Sequence, residues 1–270
     1  MTKERLDVLL VNRNLIDTRE KAKRMIMAGL VFSQNERMDK PGMKVKIDIP
    51  LHIKGRPPYV SRGGLKLEKA LHTFDVSVKN KTIVDVGAST GGFTDCALQN
   101  GATYVYAVDV GYNQLAWKIR NHPQVEVHER TNFRYVTETL FQNGQPNFAM
   151  MDVSFISIRH ILPILNKVVQ SNSDLVSLIK PQFEAKREEV GKKGIIRDMA
   201  IHKKVIKDIL HIATESGFSS KELTFSPITG GEGNIEFLAH FQQSEAPYVG
   251  LSDEQINEVI KEAHDSFQKK

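Results

Sequence analysis

Cysteine is almost absent from this 270-residue chain, and the single thiol, Cys96, excludes both a disulfide framework and a cysteine-ligated metal site. Long apolar runs are missing too, since none approaches the ~18 residues that a membrane-spanning helix needs. The first residues, Met1 to Asp7, are charged and lack the apolar stretch of a secretory signal, so the expected location is the cytoplasm. His160, His202, His211 and His240 are scattered without ligand spacing, and no metal is expected. With 40% apolar and 26% charged residues, the chain is a globular one, long enough for about two domains.

The net charge of +5 conceals an asymmetry. Residues 1–66 carry 15 Lys and Arg against 7 Asp and Glu, whereas residues 67–270 carry 22 against 25. A small basic module joined to a larger, mildly acidic one suits a polyanion-binding appendage on a catalytic body.

Within the basic module, Leu6, Leu9 and Leu10 lie at helical spacing in residues 3–13. A second helix is announced by Asp17-Thr18, with Glu20 as capping-box partner, a stripe of Ala22, Met25 and Ile26, and Gly29 at its C-terminal cap. Two extended segments follow, Leu30–Ser33 and Met43–Ile49, which predict a small sheet. Arg5-Leu6-Asp7, Thr18-Arg19-x-x-Ala22, Met27-Ala28-Gly29-Leu30-Val31 and Lys40-Pro41-Gly42 resemble the αL RNA-binding motif of the ribosomal protein S-four type. The resemblance covers roughly residues 3–50 and departs at Phe32-Ser33-Gln34-Asn35, where a valine-rich strand and an Asn-Gly turn are usual. It implies RNA binding, with Arg5, Arg19, Lys21, Lys23, Arg24, Lys40 and Arg62 as candidate phosphate contacts.

Residues 55–64 are rich in Pro and Gly and read as an inter-domain joint. Pro57-Pro58-Tyr59 superficially matches the catalytic Pro-Pro-Tyr of amino-group methyltransferases, but it lies upstream of any cofactor fold and lacks a preceding Asp or Asn. A helix begins at Leu65, with Leu67, Ala70, Leu71 and Phe74 as its buried stripe and Lys66 off that stripe, in the position of a solvated lysine.

Residues 82–87 form a short apolar run typical of a buried parallel strand. A tight turn (Ala88-Ser89-Thr90-Gly91-Gly92), a helix over 93–100 and a second strand over 104–108 follow, ending at Asp109. This is a nucleotide-type β-turn-α-β unit with an acid placed for ribose hydroxyls. No Lys-Ser or Lys-Thr follows the glycines, which excludes a Walker phosphate loop. Asp85-x-Gly87 before the glycine pair resembles motif I of S-adenosylmethionine-dependent methyltransferases, which favours that cofactor over a nicotinamide dinucleotide. Asp85, Gly87, Ala88, Ser89, Gly91, Gly92, Phe93, Asp109 and Asp152 are the candidate cofactor residues. Cys96, inside the following helix, suits packing rather than nucleophilic attack, which counts against a cytosine carbon-5 methylase.

Two further apolar runs end in polar residues, at Asp152-Val153-Ser154-Phe155 and at Lys180-Pro181-Gln182-Phe183-Glu184. In an open parallel sheet, ligands bind beyond the carboxyl ends of the strands, where Gly87, Asp109, Asp152 and Lys180 all fall. Residues 184–198, with mixed charge and two glycines, fit either an RNA-gripping lid or a solvated connector. Residues 229–234 form a glycine-rich loop before a strand on which Ile235, Phe237, Ala239 and Phe241 alternate, so Glu236 alone reads as exposed. A final helix over 252–270 has a modest apolar face for packing.

Taken together, these motifs resemble the haemolysin-A-like (TlyA) family of rRNA 2′-O-methyltransferases, related to the FtsJ/RrmJ methylases, over nearly the whole chain. That resemblance implies a Lys-Asp-Lys-Glu tetrad at Lys66, Asp152, Lys180 and Glu236, with Lys180 central, Asp152 its orienter and the other two as positioning partners. It implies a Rossmann-like α/β fold: a mostly parallel seven-stranded sheet with an antiparallel last strand, plus a small N-terminal α+β RNA-binding domain. The expected layout is an RNA-binding domain over 1–55, a linker over 56–64, a methyltransferase domain over 65–245 and a helical extension over 246–270. The expected partner is rRNA or a ribosomal subunit, with cytidine the family's usual target and no membrane. A cytolysin and a non-catalytic RNA-binding factor are the competing readings; the absence of export signals opposes the first, and the intact tetrad opposes the second.

Overall fold

The computed structural model describes residues 3–16, 18–34, 36–55 and 57–268. The chain divides into two compact units, Met1–Arg62 and Gly63–Lys270.

The first unit opens on strand β1 (Lys3–Arg5), followed by helices α1 (Leu6–Asn12) and α2 (Arg19–Met27) and by strands β2 (Val31–Ser33), β3 (Glu36–Arg37), β4 (Lys44–Lys46) and β5 (His52–Ile53). Residues 3–5 are thus not helical, as the leucine spacing had suggested; they pair antiparallel with β4, and the helix starts only at Leu6. Instead of one small sheet there are two, β1–β4 and β3–β2–β5. Their partner strands are two or three residues long, too short for a period of two to register in sequence. Asp17 lies outside the described residues, and the cap of α2 is Thr18, whose hydroxyl accepts from Lys21 N at 3.3 Å. Leu6, Leu9 and Leu10 pack with Ala22, Met25 and Ile26 into this unit's own core, joined by Val31 and Val45.

The second unit runs α3 (Gly63–Thr73), β6 (Thr82–Val86), α4 (Gly92–Gln99), β7 (Tyr104–Val108), α5 (Trp117–Arg120), β8 (Val125–His128), β9 (Phe148–Met151), α6 (Leu162–Val168), β10 (Asp174–Ile179), α7 (Pro181–Glu184), α8 (Met199–Glu215), β11 (Phe218–Phe225), β12 (Phe237–Gln243) and α9 (Asp253–Gln268). Seven strands form one sheet in the order β11-β12-β10-β9-β6-β7-β8. Strands β6 to β10 are mutually parallel where they pair, and β12 runs antiparallel to both β10 and β11. The inner parallel strands β6, β7, β9 and β10 are mostly apolar and buried on both faces, which removes the alternation of a half-exposed strand, whereas the edge strand β8, Val-Glu-Val-His, stays half-buried.

From β6 the chain first builds outward through β7 and β8, then returns to lay β9 on the other side of β6. The carboxyl ends of β6 and β9 therefore diverge at a switch point, where an open α/β sheet has its crevice. Gly87 lies at that point with φ +84°, and a Cβ there would meet the carbonyl oxygen of Asp152 at 2.8 Å. Only glycine allows both the backbone angle and the approach.

Candidate active site

A cavity of about 330 Å³ opens at the switch point, at the small end of the range for ligand pockets. Gly87, Ser89, Asp109, Asp152, Ser154 and Phe155 are among its lining residues. Asp109, just past β7, accepts backbone N–H groups from Ser89 (2.7 Å) and Gly111 (2.6 Å), one on each carboxylate oxygen. Each oxygen keeps a further lone pair, the acceptor arrangement a vicinal diol needs. Of the candidate cofactor residues, Asp85, Ala88, Gly91, Gly92 and Phe93 are buried in β6, the turn and the start of α4 and are not on the cavity wall. Asp85 is almost fully buried and accepts from the Thr94 hydroxyl at 2.6 Å, tying β6 to α4; burial pushes its carboxyl pKa up to about 7. Gly91, at φ +92°, packs against Leu115 and Ile119 and starts α4 in a left-handed turn. Cys96 is fully buried within α4.

Beside the cavity, four chain-distant side chains meet. Lys66 Nζ lies 2.8 Å from Glu236 Oε2 and 3.2 Å from Asp152 Oδ2, while Lys180 Nζ lies 2.5 Å from Asp152 Oδ1. Lys180 also donates to Ser154 Oγ at 2.9 Å, and Gln182 Nε2 donates to Glu236 Oε1 at 3.2 Å. Two ammonium groups thus alternate with two carboxylates in a neutral chain, in which Asp152 touches both lysines and Lys66 touches both acids. Burial disfavours the charged form of Lys66, but Asp152 and Glu236 outweigh it and its pKa is raised. For Asp152, burial opposes ionisation, yet Lys66 and Lys180 prevail and its pKa is lowered. Lys66 is therefore a fixed cation at neutral pH.

The reading of Lys66 as a solvated, off-stripe lysine is overturned: it is 7% exposed. Its Cα precedes Ala70 by four residues, which puts the two on one helix face, and the buried acids beyond that face satisfy its charge. Glu236 is likewise not an exposed strand residue but 2% exposed, one residue before β12. Gly230 makes room for it, since a Cβ there would lie 2.1 Å from Glu236 Oε1. Residues 184–198 are anchored near both ends, while much of the segment between stays exposed. Glu184 is anchored to Ser157 and Ile158, and Asn234 holds the far end by accepting from Ile196 N (3.0 Å) and donating to Gly194 O (2.9 Å).

One residue that sequence reasoning left without a role is Phe155, which is 92% exposed at φ +63° on the cavity wall, its ring 5.1 Å from that of Phe183. A bulky aromatic in the left-handed region signals a conformation held by its surroundings; the Asp-Val-Ser-Phe motif names the residue but not its backbone angle. In the first unit, Arg5 and Arg19 come together on Asp7, whose buried carboxylate accepts from Arg5 Nε and Nη2 (3.0 Å each) and from Arg19 Nε (2.9 Å). The Arg5 hydrogen bond leads in lowering the Asp7 pKa to about 2, and both guanidiniums keep outward N–H groups. Lys23 pairs with Glu20 at 2.7 Å, and Lys21, Arg24, Lys40 and Arg62 are exposed.

Comparison with known proteins gives residues 59–243 as matching the FtsJ-like methyltransferase family and residues 4–48 as matching the S4 domain. The chain is 59% identical over 271 residues to YqxC of Bacillus subtilis, provisionally named an rRNA methyltransferase, covering 99% of this chain and 96% of that protein. It is 38% identical over 236 residues to the 16S/23S rRNA (cytidine-2'-O)-methyltransferase TlyA of Mycobacterium tuberculosis, covering 87% of this chain and 88% of that one. A solved structure from Streptococcus thermophilus, provisionally described as a hemolysin, matches with a TM-score of 0.80 at 52% identity, covering 100% of this chain and 98% of that chain.

Proposed function

This chain belongs to the FtsJ-like methyltransferase family, carries an S4 domain and takes its methyl group from S-adenosylmethionine, and from that premise we propose that it methylates a ribose 2′-hydroxyl of ribosomal RNA, at cytidine, in the cytoplasm. The observation that carries this reading is the buried Glu236–Lys66–Asp152–Lys180 chain beside the cavity, whose wall Asp152 shares.

A ribose hydroxyl is a weak acid and a weak nucleophile, so it must be oriented and must lose its proton as it attacks. S-adenosylmethionine supplies an electrophilic methyl group when bound. Asp109 would hold its ribose diol, and Gly87, on the cavity wall, would let the backbone come close to it. Lys180, at the end of β10 and facing Asp152 and Ser154, holds the attacking oxygen, and as it takes the hydroxyl proton it passes one of its own to the Asp152 carboxylate. Lys66 keeps Asp152 and Glu236 from repelling one another and fixes the pair in place. Phe155 offers an open ring face on which the target base can stack, the contact that single-stranded RNA favours. Most of the acceleration comes from alignment of oxygen and methyl. Arg5, Arg19, Lys21, Lys23, Arg24 and Lys40 of the S4 domain, with Arg62 in the segment after it, contribute phosphate contacts.

The test is transfer of labelled methyl from S-adenosylmethionine to rRNA and to ribosomal subunits lacking the modification, comparing wild type with Lys180→Ala. Label at a nuclease-resistant ribose, lost in the variant while RNA and cofactor still bind, is the expected result. No incorporation with any of these substrates, despite tight RNA binding, refutes the enzyme and leaves a non-catalytic RNA-binding factor.

A further inference from the structure

We propose that Glu184 is a positioning residue for methyl transfer: by clasping the loop after β9 to the loop after β10, it holds Asp152, Ser154 and Lys180 in register. The inference rests on the methyl-transfer reading above. Its basis is a pair of cross-links between two neighbouring parallel strands' loops. At one end, Lys180 reaches from β10 to Asp152 and Ser154. At the other, four residues further along each loop or nearly so, Glu184 reaches back: its Oε1 accepts from Ile158 N at 2.8 Å and its Oε2 accepts from the Ser157 hydroxyl. Between the two clasps the chain makes no regular structure from Asp152 to Ser157, and it passes through Phe155 at φ +63°. A left-handed, non-glycine residue costs roughly 1–2 kcal/mol and persists only where its neighbours determine it on both sides.

Tying Ile158 N alone would not need a carboxylate. Ser157 already caps that turn by accepting from Arg159 N at 3.2 Å, and a neutral acceptor could take the next N–H without desolvating a charge. Glu184 is instead mostly buried. Burial opposes its ionisation and outweighs the Ser157 and Ile158 hydrogen bonds and the nearby Arg159 charge, so its pKa is pushed up to about 7. What the carboxylate adds is the span between strands, made from the last residue of the α7 turn that Pro181 begins directly after Lys180. Glu184 is not on the wall of the cofactor cavity. It therefore acts on the reacting groups through the loop and not through cofactor binding.

The experiment compares wild type, Glu184→Ala, Glu184→Gln and Ser157→Ala in methyl transfer to unmodified rRNA or subunits, with cofactor affinity measured by titration of S-adenosylmethionine. Glu184→Ala is expected to lower kcat by on the order of 10- to 100-fold, the scale of a displacement near 1 Å, with KM for RNA and cofactor affinity within twofold or so. Glu184→Gln should recover most of that loss, because its amide oxygen can accept from Ile158 N while its NH2 donates to the Ser157 oxygen. Ser157→Ala, which opens half of the clasp, should lower kcat less and in the same direction, and it decides the matter if Glu184→Ala does not fold. Wild-type kcat in Glu184→Ala, or in Ser157→Ala, or a Gln variant as impaired as Ala, overturns the proposal. Absence of transfer by the wild-type protein overturns the methyl-transfer reading and this inference with it, an outcome distinct from a clasp variant that works normally.

Discussion

Replacing Lys66 by Met should cost far more stability than the loss of one exposed lysine, and the cost should vanish in large part when Glu236 is removed as well. Lys66 and Glu236 are both almost wholly buried and meet at 2.8 Å. In Lys66→Met the Glu236 carboxylate keeps, among the described residues, only the Gln182 amide at 3.2 Å, whereas Asp152 retains Lys180 at 2.5 Å. Breaking a buried ion pair by deleting one partner costs about 3–5 kcal/mol, because an uncompensated charge stays behind. Met fills nearly the same volume, so the cavity contribution is small. Replacing both partners by apolar side chains is often close to neutral, so Lys66→Met/Glu236→Met should regain most of the loss, with a coupling of roughly 2–3 kcal/mol between the two sites. Urea unfolding followed by circular dichroism, on wild type, both single variants and the double variant, measures the cycle. A Lys66→Met variant within about 1 kcal/mol of wild type, or a double variant as costly as the two singles combined, would refute the buried-pair reasoning.

Gly87→Ala should destabilise the fold by about 2 kcal/mol or more and weaken S-adenosylmethionine binding, since alanine at φ +84° is strained and its Cβ would press on the Asp152 backbone; unchanged affinity in a cofactor titration would sink that account of the turn. Glu184→Gln should alter the pH dependence of stability. The folded-state pKa of about 7 lies above the usual 4.5, so the contribution of Glu184 is fully present below 4.5 and is lost as pH rises through 7. A glutamine cannot lose it, and relative to wild type the variant should gain about 3 kcal/mol between pH 4 and pH 8.5 in denaturant titrations. A difference that does not change with pH would contradict the burial of an ionisable carboxylate there.

Much of this architecture was legible in the order of residues. Helical stripes such as Leu6, Leu9 and Leu10, the apolar runs of β6, β7, β9 and β10, and the glycine turn before α4 are local patterns, set by a period of 3.6 or by continuous burial within a few residues. The strand ends that carry Gly87, Asp109, Asp152 and Lys180 were readable for the same reason. Lys66 and Glu236 were not legible from pattern: each is a lone charge whose burial depends on a partner 170 residues away, and only resemblance to known sequences pointed to them. The short strands β1 and β3 escaped notice because two or three residues carry no period.

What the sequence determined by itself was the type of the strongly patterned elements and the chemistry at their ends, because turn propensity and hydrophobic spacing act between near neighbours. The tertiary structure alone decided which charges meet. Strand order set β9 between β6 and β10 and turned β12 antiparallel beside β10. That placement gave Lys66 two acids, Lys180 one acid and a hydroxyl, and Glu184 a neighbouring loop to hold. A buried charge is stable only where its counter-charge is brought to it, and bringing residues together across the chain is a property of the sheet, not of any segment within it.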